Sequence, residues 1–273
     1  MATVTLSTGA EVWYKTTGSG APLVHIHGSA WGHRNFEKLT PHVAKHFQVI
    51  DLDLPGYGQS RGGPTGQSLA ALGRDVAEFI GAIGLEKAHI HGTSFGAMLA
   101  LNIAANQPEV VDRLVLSCFL ARYDTAAHVM RGTWKRAALE SGMDAVADLT
   151  AVAGFARRFY ELDWAEAQIA GMREAFAKTL PAAFVASTEA IQKSDLSPLV
   201  AKVVAPTLLL AGDEDNMTPF EPAGSGVGMA QIAKTLPGAE TVVLRECGHY
   251  LVVEQPEQAA ALITEFLSRA RRD

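Results

Sequence analysis

Apolar residues recur along this chain in two alternating rhythms, and their alternation predicts the architecture. Thr3 to Lys15 alternates about Ser7-Thr8-Gly9-Ala10, the pattern of a β-hairpin. Leu23-Val24-His25-Ile26-His27 is a short buried strand that stops at Gly28, and a helix-length stretch follows as far as His46. Another strand, Phe47 to Asp53, ends at Leu54-Pro55-Gly56-Tyr57-Gly58. From Ser68 the period changes. Leu69, Leu72, Val76, Phe79, Ile80 and Ile83 recur at helical spacing, with Gly84 placed to end the helix. Ala88 to His91 then reads as a strand, Ser94 to Gln107 as a helix stopped by Pro108, and Arg113 to Phe119 as a strand. Strands and helices alternating at this interval predict a mainly parallel sheet with both faces covered.

From Tyr123 to about Asp195 the strand signal is lost, and the chain becomes helix-prone with Trp134, Phe155, Phe159, Tyr160, Trp164, Met172 and Phe176 spread through it. This predicts an inserted helical cap, residues 123–195. The β/α rhythm resumes at Pro206 to Gly212, continues through a helix ending near Leu236 and a strand at Glu240 to Arg245, and closes with a helix from Pro256 to about Arg271. The core is therefore expected in two pieces, 1–122 and 196–273. No repeat at a fixed period and no long Ser- or Pro-rich linker interrupts it.

Composition narrows the class. With 273 residues, 48% hydrophobic, 19% charged and a formal charge of -6, the chain can bury a large core and is not a disordered one. Acidic residues outnumber basic ones, 29 to 23, and no basic run exceeds a pair such as Arg271-Arg272, so a nucleic-acid partner is not expected. Two cysteines, Cys118 and Cys247, are too few for a disulfide framework or a structural zinc site and read as small apolar fillers. The first residues lack the basic start and apolar run of a signal peptide, and no later stretch approaches the roughly 18 uninterrupted apolar residues of a membrane span. The expectation is a cytoplasmic protein.

Three loops carry the candidate chemistry. Gly92-Thr93-Ser94-Phe95-Gly96 lies between a strand and a helix, where small residues on either side of Ser94 permit a tight turn that lifts the serine oxygen above the sheet. Ser94 as an ordinary helix N-cap is the plain alternative. Gly212-Asp213-Glu214-Asp215 and Glu246-Cys247-Gly248-His249-Tyr250 each follow a later strand, so in a parallel sheet both emerge at the same C-terminal edge as Ser94. The order Ser94, Asp215, His249 is that of a nucleophile, an acid and a base. The pairs His25/His27 and His89/His91 invite a metal reading, but each lies on a short strand without a completing ligand, and buried hydrogen-bonded histidines are expected instead. Gly224-Ser225-Gly226-Val227-Gly228 lacks the strand-to-helix context of a nucleotide loop and reads as a connection into the next helix.

On these motifs, with His27-Gly28-Ser29-Ala30-Trp31 as a fourth, the chain resembles the α/β-hydrolase family of the serine type over nearly its whole length. The resemblance implies an α/β fold with a mainly parallel eight-stranded sheet flanked by helices and an inserted helical cap. It also implies a catalytic triad of Ser94, Asp215 and His249, an oxyanion hole made by the backbone N–H groups of Ser29 and Phe95, and no cofactor or metal. The family spacing G-x-x-D selects Asp215 over Asp213 and Glu214. Some relatives place the acid after the sixth strand, where the nearest carboxylate is Asp124. Haloalkane dehalogenases and epoxide hydrolases of this fold carry Asp where Ser94 stands, so those chemistries are disfavoured.

Within the family, Asp195-Leu196-Ser197-Pro198-Leu199 and Val204-Ala205-Pro206-Thr207-Leu208 are similar to ester and lactone hydrolases of the enol-lactonase and carboxylesterase type. The Leu52 to Ser60 stretch and the loops at His27 and His249 look like the meta-cleavage C–C hydrolases, although Ala30-Trp31 and Tyr250 depart from that group's usual loop and Trp. A low-turnover receptor or signalling protein on the same fold is a third reading. Trp31, Trp134, Met217, Phe220 and Tyr250 are the expected apolar pocket. Arg131, Lys135 and Arg136 read as the solvated face of the first cap helix, with contact to an acidic substrate group as the alternative. The expected partner is a small, largely apolar or weakly acidic molecule, with a homodimer left open.

Overall fold

A computed structural model describes residues 1–62, 68–236 and 238–270. Among them β1 (Ala2–Thr5), β2 (Glu11–Thr17), β3 (Ala21–Ile26), β4 (Phe47–Leu52), β5 (Ala88–Thr93), β6 (Val111–Ser117), β7 (Thr207–Gly212) and β8 (Glu240–Leu244) form one eight-stranded sheet in the order β1-β2-β4-β3-β5-β6-β7-β8. The pairs β1/β2 and β2/β4 are antiparallel and all the others parallel. The helices are α1 (Thr40–Val43), α2 (Leu69–Ala82), α3 (Phe95–Asn106), α4 (Thr125–Glu140), α5 (Met143–Gly154), α6 (Ala165–Phe176), α7 (Pro181–Gln192), α8 (Ser197–Val200), α9 (Met229–Thr235), α10 (Leu251–Glu254) and α11 (Pro256–Leu267). Among the described residues no helix is long and apolar enough to cross a membrane.

Period-two alternation sorts the parallel strands between two apolar layers. Val24, Ile26, Leu114 and Leu116 join one layer with α2, α3, α8 and α9, while Leu23 and Val115 join the other with α1 and α11. Residues Phe95 to Ala104 of α3 are all buried, as expected of a helix that is apolar all round. Gly84, at φ 82°, ends α2 as the helical pattern predicts: its N–H donates to the Gly81 carbonyl (2.9 Å) and the Leu85 N–H to that of Ile80 (3.1 Å). The strand histidines are buried and bonded: His25 Nδ1 lies 2.7 Å from Asp51 Oδ1, and His91 Nε2 lies 2.9 Å from Ser117 Oγ. His27 Nε2 accepts the Leu54 N–H at 2.9 Å, and burial pushes its pKa down to about 4, so the ring stays neutral.

The stretch from Gly28 to His46 departs from the sequence expectation of one helix. It holds a 3-10 turn at Gly32–Phe36 and the single turn α1. Side chains direct the backbone here: Asn35 Oδ1 accepts the Gly28 N–H (2.8 Å), and Asp53 Oδ1 accepts the His33 N–H (2.6 Å). Such anchors replace the regular helical ladder. The last helix ends at Leu267; Arg271, the expected end, lies outside the described residues.

Between β6 and β7 the named elements are all helical, α4 to α8 and a 3-10 turn. At the foot of this segment Arg122 pairs with Asp195 and Val227 in isolated bridges. Asp124 caps α4 by accepting the Ala127 N–H (2.8 Å), and its other oxygen accepts the Ala223 N–H (3.1 Å). Both oxygens of the alternative acid are thus engaged in backbone bonds.

Candidate active site

Ser94 occupies the turn from β5 into α3 at φ 55° and ψ -117°, a conformation that costs a side-chain-bearing residue roughly 1–3 kcal/mol. Close packing holds it there. A Cβ on Gly96 would stand 1.9 Å from the Ile26 carbonyl oxygen, and one on Gly92 would stand 2.2 Å from that of Gly96. Gly96→Ala is therefore expected to abolish soluble folded protein; an unchanged yield and melting curve would contradict this packing. Among the described residues the other non-glycines at positive φ are Ala30, Cys118 and Glu246, in the loops after β3, β6 and β8. Backbone strain is thus concentrated on the sheet edge that carries Ser94.

The loop after β7 supplies a carboxylate whose acceptors are all in use. Asp215 Oδ1 accepts the N–H groups of Met217 (2.9 Å) and Thr218 (2.8 Å), while Oδ2 accepts the Thr218 hydroxyl (2.7 Å) and lies 2.9 Å from His249 Nδ1. Burial alone raises a carboxyl pKa, yet His249 and Thr218 outweigh it and hold Asp215 below the usual range. An ionised Asp215 fixes Nδ1 as the protonated ring nitrogen of a neutral His249. Cys118 contributes a thiol within 4.8 Å of the Asp215 and His249 ligand atoms. Burial keeps that thiol protonated, and with the Asp215 oxygens already committed the trio is a poor cation site.

The His249 loop is tied to the helical segment. The His249 N–H donates to the Gly154 carbonyl (2.6 Å), and Glu254 Oε2 accepts the N–H groups of both Gly248 (3.2 Å) and Ala156 (3.0 Å). Burial raises the Glu254 pKa to about 7 from 4.5. A raised carboxyl pKa makes the folded state bind the proton more tightly, so this group's contribution to stability is full below about pH 4.5 and declines as pH rises through 7. Glu254→Gln is expected to remove that part of the decline, so that calorimetry shows a flatter melting temperature from pH 5 to 8. An unaltered slope would rule the contribution out.

Ser94, His249 and Ser29 line one small cavity with Trp31, Trp134, Met217 and Tyr250. Its volume is about 20 Å³. The Gly28 loop abuts the serine: a Cβ on Gly28 would lie 3.4 Å from Ser94 Cβ. Phe95 opens α3, so its N–H belongs to the helix end that has no intrahelical acceptor. Phe220 is the expected pocket residue that the fold takes elsewhere. It packs with the layer formed by α3 and α9, and its carbonyl accepts the Ala230 N–H (3.1 Å), because the chain turns away toward α9 after Pro219. Sequence reasoning missed Phe176, Phe184 and Thr150, and it set Arg131 on a solvated face. The buried residues of α4 are Ala127, Arg131, Trp134 and Ala138, a helical spacing that puts Arg131 on the face of the expected Trp134. A roomier cleft of about 540 Å³ lies between residues 54–62 and the segment 178–187, and among the described residues it meets the serine turn through Phe95.

The family model described as "Alpha/beta hydrolase family" matches residues 23–262. The chain is 28% identical over 270 residues to a putative non-heme haloperoxidase of Mycobacterium phage D29 (96% of this chain, 92% of that protein). It is 26% identical over 272 residues to the 2-hydroxy-6-oxo-2,4-heptadienoate hydrolase of Pseudomonas putida (96% and 95%). Its fold superposes on the crystal structure of the enol-lactonase from Burkholderia xenovorans LB400 with a TM-score of 0.88 at 22% identity, covering 98% of this chain and 100% of that one. A match across most of the chain, on an eight-stranded sheet whose strand ends gather a serine, a histidine and an aspartate, makes this protein an enzyme of the alpha/beta hydrolase family.

Proposed function

We propose that the protein is a serine hydrolase that cleaves a carboxylic ester or lactone of a small molecule through an acyl-enzyme. The 2.9 Å contact of Asp215 Oδ2 with His249 Nδ1, at a cavity that Ser94 shares with His249, carries this reading. In the proposed reaction His249 Nε2 takes the Ser94 proton as Oγ bonds to the scissile carbonyl carbon. The N–H groups of Ser29 and Phe95 receive the oxyanion. As the tetrahedral intermediate collapses, the carbon–oxygen bond of the leaving group breaks and His249 returns its proton to that oxygen. Water, deprotonated by His249, then attacks the acyl carbon and Ser94 departs with the proton. The helical segment 123–195 acts as a cap that selects the substrate, and both cysteines, buried and unpaired, suit a reducing cytoplasmic setting.

Hydrolysis of a C–C bond in a vinylogous diketone is the second reading, favoured by the likeness to the heptadienoate hydrolase. Turnover of aryl esters, lactones and a vinylogous 1,5-diketone, each with Ser94→Ala as control, separates the two. Multiple turnover of esters or lactones supports the proposal. Cleavage of the diketone alone, or one slow turnover that leaves a persistent adduct, overturns it.

A further inference from the structure

Arg131 lies in the wall of the cavity that holds Ser94 and His249, and it is 3% exposed. Its guanidinium donates from Nε to Tyr123 Oη (3.3 Å) and from Nη1 to Ser29 Oγ (3.1 Å), and it stands 5.1 Å from the Trp134 ring centroid. Two of its five N–H donors are thus engaged. Among the described residues no carboxylate forms an ion pair with it. Asp124, the N-cap of α4 two turns earlier, gives its oxygens to the Ala127 and Ala223 amides, and Asp215 is committed to Met217, Thr218 and His249. Its basic neighbours differ: Lys135 pairs with Glu189 at 2.7 Å, and Arg136 is exposed and donates to the Thr133 hydroxyl.

A guanidinium cannot shed its charge at any ordinary pH, so burial without a counter-ion is costly, and the adjoining rings offset only a small part of that cost. A ligand that brings a carboxylate supplies both the missing charge and acceptors for the free N–H groups. Ser29 fixes where that carboxylate belongs. Its hydroxyl accepts from Arg131 while its own N–H is the proposed oxyanion donor, so the cation sits one side chain away from the scissile carbonyl. We infer that Arg131 is a carboxylate-binding residue and that the substrate is an ester or lactone whose acyl portion bears a free carboxylate a few bonds from the scissile carbonyl. This rests on the serine-hydrolase reading above. The chain as a whole carries a net charge of -6, so a preference for an anion would not come from its overall field.

The test compares mono-p-nitrophenyl glutarate with p-nitrophenyl pentanoate, its neutral counterpart of equal chain length, on the parent enzyme, Arg131→Met and Arg131→Lys. The parent is expected to favour the glutarate ester in kcat/KM by about tenfold to a hundredfold, in line with a charge-assisted hydrogen bond. In Arg131→Met the preference collapses, chiefly through KM, and Arg131→Lys retains part of it. A second readout needs no turnover: glutarate raises the melting temperature of Ser94→Ala and leaves that of Ser94→Ala/Arg131→Met unmoved. Absence of both the preference and the glutarate shift in proteins that hydrolyse the neutral ester overturns the carboxylate site and leaves the hydrolase standing. An Arg131-dependent glutarate shift without turnover of any ester does the reverse. Should Arg131→Met fail to fold, the parent preference and the lysine variant decide the matter.

Discussion

Replacing Ser94 with alanine is expected to lower kcat/KM on a good ester by on the order of a millionfold while the protein keeps its fold. Both halves of that expectation come from the same turn. The Ser94 side-chain oxygen makes no hydrogen bond to the described residues, and alanine keeps the Cβ at the same strained φ of 55°, so nothing structural depends on the hydroxyl. The proposed chemistry depends on it entirely, because His249 and the two amides have no bond to make once the nucleophile is gone. Steady-state assays beside circular dichroism and thermal melts provide the check. Activity within tenfold of the parent would remove Ser94 from the nucleophile role.

Asp215→Asn is expected to cost about 10⁴-fold in kcat with little change in KM, and the hydrogen bonds say why. Oδ1 accepts two backbone N–H groups, from Met217 and Thr218, so the carbonyl oxygen of an asparagine must take that position. Its NH₂ group then faces His249 Nδ1, where Oδ2 stood at 2.9 Å. The imidazole answers by accepting at Nδ1 and carrying its proton on Nε2, the nitrogen that must be free to act as a base. The loss is thus one of tautomer. A fall of less than tenfold would place the acid elsewhere, and Asp124 is engaged by the Ala127 and Ala223 amides.

How far the sequence could be read depended on whether a feature is local. Strands at residues 21–26, 88–93 and 207–212 are short apolar runs closed by turns, and α2 shows a clean helical period with a glycine end; each is written in its own stretch of sequence. The gathering of Ser94, Asp215 and His249 was legible because parallel strands must present their following loops at one edge. Where contacts from distant residues set the backbone, the pattern misled. The segment 28–46 is long enough for one helix, yet Asp53 from beyond it takes the His33 N–H. Phe220 lies five residues past Asp215, yet it turns with Pro219 into another layer. Arg131 was placed by residue type, because a charged side chain on a helix usually faces water; its spacing with Ala127, Trp134 and Ala138 was the better guide.

The smallness of the cavity beside Ser94 has a kinetic meaning. At about 20 Å³ it has room for roughly one water molecule. Under the proposed reaction an ester needs more room than this, so lining side chains such as Trp31, Phe176 and Tyr250, which pack on one another, must shift for it to enter. Its apparent affinity is then the intrinsic affinity scaled by the fraction of molecules already open. Substitutions that loosen this aromatic wall would raise that fraction for every substrate alike, whereas changes at the guanidinium would discriminate among them.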